Sequence, residues 1–139
     1  MASTSVSRTV PAPPEQVWAL IGGFDSLPDW LPYITGSVAL EGGRVRRLTN
    51  PDGEIIVERL VAFDEAGRHY SYAILDAPFP VTGYVSTLRV HAVAGRDDVA
   101  EVQWSGRFTP DGVTDDEVVD LFAGIYRDGL EALHKTLSA

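Results

Sequence analysis

The feature that most constrains this chain is a change of period partway along it. From about residue 34 to residue 108 apolar side chains alternate in short runs, whereas from Thr114 to Leu137 they recur every three or four residues. The first pattern is that of half-buried strands and the second that of an amphipathic helix. The strand runs lie at about 34–40, 43–49, 54–64, 68–75, 83–94 and 99–108. Their separators are rich in turn formers: Glu41-Gly42-Gly43, Asn50-Pro51-Asp52-Gly53, Glu65-Ala66-Gly67, Asp76-Ala77-Pro78-Phe79-Pro80 and Ala94-Gly95-Arg96-Asp97-Asp98. Consecutive strands joined so tightly form an antiparallel meander.

The flanks complete the order. Alternation from Thr4 to Val10 predicts a first strand, stopped by Pro11-Ala12-Pro13-Pro14. Pro14 suits the first turn of a helix, and Val17, Trp18, Leu20 and Ile21 give that helix an apolar face before Gly22-Gly23 ends it. A second short helix is predicted at about Ser26–Trp30, with Pro28 confined to its first turn. Thr114 and Glu117 have the spacing of a capping box, and Asp115 and Asp116 load the positive end of the last helix dipole. Val118, Val119, Phe122, Ile125, Tyr126, Gly129, Leu130, Leu133 and Leu137 carry that helix to the chain end. A helix of roughly 24 residues runs about 36 Å, so it must lie across the sheet.

Composition narrows the function classes. A chain of 139 residues without repeats or linkers reads as one domain, residues 1–139. It contains no cysteine, which excludes disulfides, thiolate metal sites and a cysteine nucleophile. Its formal net charge of −9 offers no basic face to nucleic acid. No secretory signal and no membrane-spanning apolar run is visible, so a soluble, cytoplasmic protein is expected, a monomer or weak dimer without stable membrane insertion. His69, His91 and His134 fall on three separate elements, so no metal site is expected. Neither a nucleophile elbow nor a glycine-rich phosphate loop occurs, and no cofactor is implied.

Alternation also sorts side chains between the two faces of the sheet. In the last strand Val102, Trp104, Gly106 and Phe108 share one face, and Glu101, Gln103, Ser105 and Arg107 share the other. In the strand before it Tyr84, Ser86, Leu88 and Val90 point inward; earlier, Tyr70, Tyr72 and Ile74 do the same. The run 54–64 resists this treatment, since Arg59 interrupts one apolar set and Glu58 the other; a bulge would shift its register. Gly124 and Gly129 in the last helix either leave room for a ligand or relieve its packing on the sheet.

Several segments carry a family resemblance. They are Val17-Trp18-Ala19-Leu20-Ile21-Gly22-Gly23-Phe24, Leu27-Pro28-Asp29-Trp30-Leu31-Pro32, Val57-Glu58-Arg59-Leu60-Val61-Ala62-Phe63-Asp64, Tyr70-Ser71-Tyr72-Ala73-Ile74, Pro80-Val81-Thr82-Gly83-Tyr84 and Val102-Gln103-Trp104-Ser105-Gly106-Arg107-Phe108. With the order of elements, they resemble the START/Bet v 1-like (SRPBCC) superfamily, in its polyketide cyclase/dehydrase-like branch, over nearly the whole chain. The resemblance implies an α+β helix-grip fold: a seven-stranded antiparallel sheet wrapped around a long C-terminal helix, with two short helices after the first strand. It also implies that Glu58 points inward.

The resulting interior is aromatic with polar tips, as in an apolar pocket with a few orienting groups. The candidate ligand-binding residues are Trp30, Glu58, Tyr70, Tyr72, Phe79, Tyr84, Trp104, Phe108, Phe122 and Tyr126. Glu58 is the candidate catalytic residue, and it has no second inward carboxylate to work with. Three functions compete. One is a binding module for a small hydrophobic or aromatic molecule, such as a lipid or polyketide-like compound; another is a polyketide cyclase/aromatase-type enzyme with Glu58 as base or a tyrosine as proton donor. The third is an interaction module whose acidic surface meets a basic partner. Phe79, held between Pro78 and Pro80, either gates the pocket mouth or plugs the end of the core.

Overall fold

Each alternating run becomes a strand, and the prolines and glycines between them become turns. A computed structural model describes all residues, Met1–Ala139. The order is β1 (Ala2–Val10), α1 (Pro14–Ile21), β2 (Gly36–Leu40), β3 (Val45–Thr49), β4 (Ile55–Asp64), β5 (His69–Asp76), β6 (Val81–Val93), β7 (Arg96–Pro110) and α2 (Asp115–Ser138). The strands form one antiparallel sheet in the order β1-β7-β6-β5-β4-β3-β2. The helix-grip architecture is therefore present as expected. One detail differs: the second short helix is a single 3-10 turn, Leu27–Asp29. Pro28 within the segment removes a backbone donor and leaves too few residues for an α-helical ladder.

The register of β4 explains why its alternation could not be read. Ile56 pairs with Leu48, Glu58 with Ile74 and Leu60 with Tyr72, but then Ala62 pairs with Ser71 and Phe63 with Tyr70. The partners skip Val61, so the inward set passes from Ile56, Glu58 and Leu60 to Phe63. Another irregularity, between Thr82 and Val85 on β6, includes Gly83 at φ +61°, a left-handed conformation that glycine adopts without steric cost.

Helix α2 starts where its capping residues place it. Thr114 Oγ1 accepts a hydrogen bond from the Glu117 amide at 3.2 Å, and Asp115, Asp116 and Glu117 occupy the first turn. Its buried stripe is Val118, Phe122, Tyr126, Gly129, Leu130 and Leu133, which packs against β1 and β7. Tyr70, Tyr72, Tyr84, Leu88, Trp104 and Phe108 are buried opposite it. No helix is long and apolar enough to cross a membrane.

Small residues let helix and sheet approach. A Cβ at Gly129 would lie 2.6 Å from Trp104, and one at Gly106 would overlap the Tyr126 hydroxyl. Gly124 has open space around it. Of the two helix glycines, Gly129 thus serves close packing and Gly124 does not.

Candidate functional site

A cavity of about 300 Å³ lies between the sheet and α2. It is lined by 17 residues, 14 of them hydrophobic, so its walls are apolar and its few polar groups stand out. Leu48, Ile56, Ile74 and Tyr72 come from β3, β4 and β5; Tyr84 and Trp104 come from β6 and β7; Phe122, Ile125 and Tyr126 come from α2. Leu27, Leu31, Tyr33 and Ile34 close one side from the connection between α1 and β2. Asn50 and Phe79, from the β3–β4 and β5–β6 turns, stand at the end where α2 begins.

One wall is built on a buried ion pair. Alternation on β3 sends Arg46 inward with Leu48, and Arg46 lies beside Glu58 of β4 in the register. Arg46 is 1% exposed and Glu58 is 6% exposed. Arg46 Nε and Nη2 approach Glu58 Oε1 at 2.8 and 2.7 Å. Arg46 Nη1 donates to the Phe24 carbonyl at 2.8 Å and to the Tyr70 hydroxyl at 3.3 Å. The guanidinium carbon also lies 4.1 Å from the Phe24 ring centre and 4.8 Å from that of Tyr72. Arg46 is thereby consumed by its neighbours, whereas Glu58 lines the cavity and its Oε2 makes no hydrogen bond. Burial pushes the Glu58 carboxyl above its ordinary pKa, and Arg46 pulls it back without cancelling the rise.

The sheet side carries a cluster of hydroxyls. Trp104 Nε1 donates to Ser86 Oγ at 3.0 Å and to the Tyr72 hydroxyl at 3.2 Å, and Ser86 Oγ donates to the Ser105 carbonyl at 2.7 Å. The Tyr84 and Tyr126 hydroxyls are hydrogen-bonded to each other. Burial pushes Tyr72 and Tyr84 well above the usual phenol range, and pushes Tyr126 up to about 12. These phenols are neutral donors at pH 7, where a ligand carbonyl or hydroxyl would meet them. The surrounding rings pack as aromatic pairs, with Trp104 stacked on Tyr126 at 4.8 Å and Phe79 edge-on to Phe122 at 5.3 Å.

Of the residues singled out from the sequence, Glu58, Tyr72, Phe79, Tyr84, Trp104, Phe122 and Tyr126 meet around the cavity. Three others stand behind its wall. Trp30 packs on Trp104 at 5.9 Å, Tyr70 holds Arg46, and Phe108 packs against both Tyr84 and Phe122. Arg46 escaped the sequence reading because β3 is five residues long and puts an arginine on each face, Arg46 inward and Arg47 outward. Leu31, Tyr33 and Asp128 escaped it too. The first two lie in a connection without periodicity, and Asp128 is a polar residue at the border of an apolar helix stripe.

The family described as polyketide cyclase / dehydrase and lipid transport matches residues 1–138. Among solved structures, the protein XoxI from Bacillus cereus is 54% identical, with a TM-score of 0.96 over 99% of this chain and 96% of that one. A Bacillus thuringiensis protein is 52% identical, with a TM-score of 0.97 over 99% of this chain and 100% of its own. The Zhui aromatase/cyclase from Streptomyces sp. R1128 shares the fold at 19% identity, with a TM-score of 0.76 over 98% of this chain and 91% of that one.

Proposed function

Because this chain belongs to the polyketide cyclase / dehydrase and lipid transport family, we propose that it is a binding module that encloses a small hydrophobic or aromatic molecule. The observation that carries this reading is the cavity of about 300 Å³ with 14 hydrophobic residues among its 17. Burying an apolar ligand there gains roughly 25 cal/mol per Å² removed from water. The neutral phenols and the Glu58 carboxylate orient the ligand's polar atoms by hydrogen bonds. Native mass spectrometry of gently purified protein tests the reading. A co-purified small molecule, lost on denaturation, is the expected result; a clean unliganded mass together with no uptake from a panel of apolar and aromatic compounds overturns it.

A second reading is a cyclase of the polyketide type, favoured by one observation. Glu58 has an oxygen without a hydrogen bond in a cavity that also holds the Tyr72 and Tyr126 phenols. A carboxylate base and a phenolic donor in one apolar chamber are the parts that enolisation and dehydration require. Conversion of a poly-β-keto thioester mimic, lost in Glu58→Gln, supports that reading; equal rates with and without protein dismiss it.

A further inference from the structure

Every charged residue that lines the cavity is an acid. They are Glu58 and Asp128, and neither a lysine, an arginine nor a histidine is among the 17. Arg46, the base paired with Glu58, is sealed behind the wall and already bonded to Glu58, Phe24 and Tyr70. A ligand carboxylate buried there would meet no cation, and an unpaired buried charge is costly.

The Asp128 end of the cavity suits a cation instead. Asp128 lies on the exposed border of α2 and forms no ion pair. Tyr33 lines the same cavity, and its hydroxyl is buried without a hydrogen-bond partner. Burial first, and then the Asp128 and Glu131 carboxylates, push the Tyr33 phenol up to about 12. An ammonium group held between the Asp128 carboxylate and the Tyr33 oxygen would gain charge-assisted hydrogen bonds. The chain's net charge of −9 acts in the same direction on any approaching ion.

We propose that the cavity selects its ligand by charge, taking a cationic amphiphile in preference to a neutral one and rejecting a carboxylate of the same body. The cation sits at Asp128 and Tyr33, with the apolar body along Leu31, Ile125 and Phe122. This rests on the binding-module reading and specifies the chemical class of its ligand.

Titration calorimetry at pH 7 with naphthylmethylamine, naphthylmethanol and naphthoate tests it, since the three share one apolar body. The amine should bind about tenfold or more tightly than naphthoate, with the alcohol between them. Asp128→Asn should shrink the amine's advantage to about threefold or less, whereas Asp97→Asn, at the start of β7 and outside the cavity lining, should leave it unchanged. Equal affinities, or tighter binding of naphthoate, overturn the charge selection while leaving the binding module intact. Binding of none of the three overturns the charge selection, and the binding module falls with it only if the mass-spectrometric panel also finds no ligand. An amine preference that survives Asp128→Asn removes Asp128 from the site and overturns the placement of the cation.

Discussion

Arg46 and Glu58 are neighbours across β3 and β4, and two guanidinium nitrogens converge on the single oxygen Oε1 at 2.8 and 2.7 Å. The pair has almost no contact with water, so its members depend on each other for solvation. Taking away one partner therefore costs more than the pair itself contributes.

Arg46→Met should lower unfolding stability by about 3–5 kcal/mol, because it strands a buried carboxylate. The double variant Arg46→Met/Glu58→Leu should recover more than half of that loss, since no charge is then left uncompensated. Urea unfolding followed by tryptophan fluorescence measures both. A single variant as stable as the parent would show that Glu58 is solvated by water rather than by Arg46.

The two helix glycines should respond with opposite signs. Gly124→Ala meets nothing within 4 Å and should stabilise by up to about 1 kcal/mol through helix propensity. Gly129→Ala would press on Trp104 at 2.6 Å and should destabilise by about 1–3 kcal/mol despite the same propensity gain. Trp104→Ala, which empties the other side of that contact, should cost roughly 3–5 kcal/mol. Thermal unfolding of the three variants ranks them; a stable Trp104→Ala would place that ring on the outer face of β7.

Alkaline titration should be delayed. Tyr72 and Tyr84 are held well above 10.0 by burial, and Tyr33 and Tyr126 are raised to about 12, so the folded state keeps protons that the unfolded chain releases. Stability from these groups is complete below the ordinary phenol value of 10.0 and falls as pH rises toward and past 12. Tyrosinate absorbance should consequently appear together with loss of far-ultraviolet ellipticity rather than before it. Four tyrosines ionising near 10 in the folded protein would contradict the burial of this cluster.

Ligand uptake should be felt at one end of the sheet. The turns around Gly53 and Phe79 and the first turns of α2 share that end, while Gly42, Gly67 and Gly95 mark the other. Phe79 and Phe122 line the cavity with their rings edge-on, so a ligand that enters at this end displaces that contact. Amide shift changes on titration with naphthylmethanol should concentrate at Gly53, Phe79 and Phe122. Changes centred on Gly42, Gly67 and Gly95 would move the entrance to the opposite end and leave Phe79 as a plug.

What the chain's letters disclosed, and what they withheld, follows from periodicity. The inward positions of Trp104, Tyr84 and Tyr72 were legible because β5, β6 and β7 alternate over 8 to 15 residues. The start of α2 was legible because Thr114 caps it with its own side chain. Glu58 was ambiguous because Val61 adds a residue to β4 and reverses the alternation beyond it. Arg46 was invisible because five residues carrying adjacent arginines give no sign of which one points inward. The cavity wall from Leu27 to Ile34 was missed for a different reason, as chain connections obey contacts rather than a repeat.

Helix α2 rests on β1 and β7, at one margin of the sheet, and spans open space above β3, β4 and β5. Over the rest of the sheet it is propped by side chains, through the Tyr84–Tyr126 hydroxyl bond and the Phe79–Phe122 ring contact. The depth of the chamber is therefore set by side-chain length rather than by strand pairing.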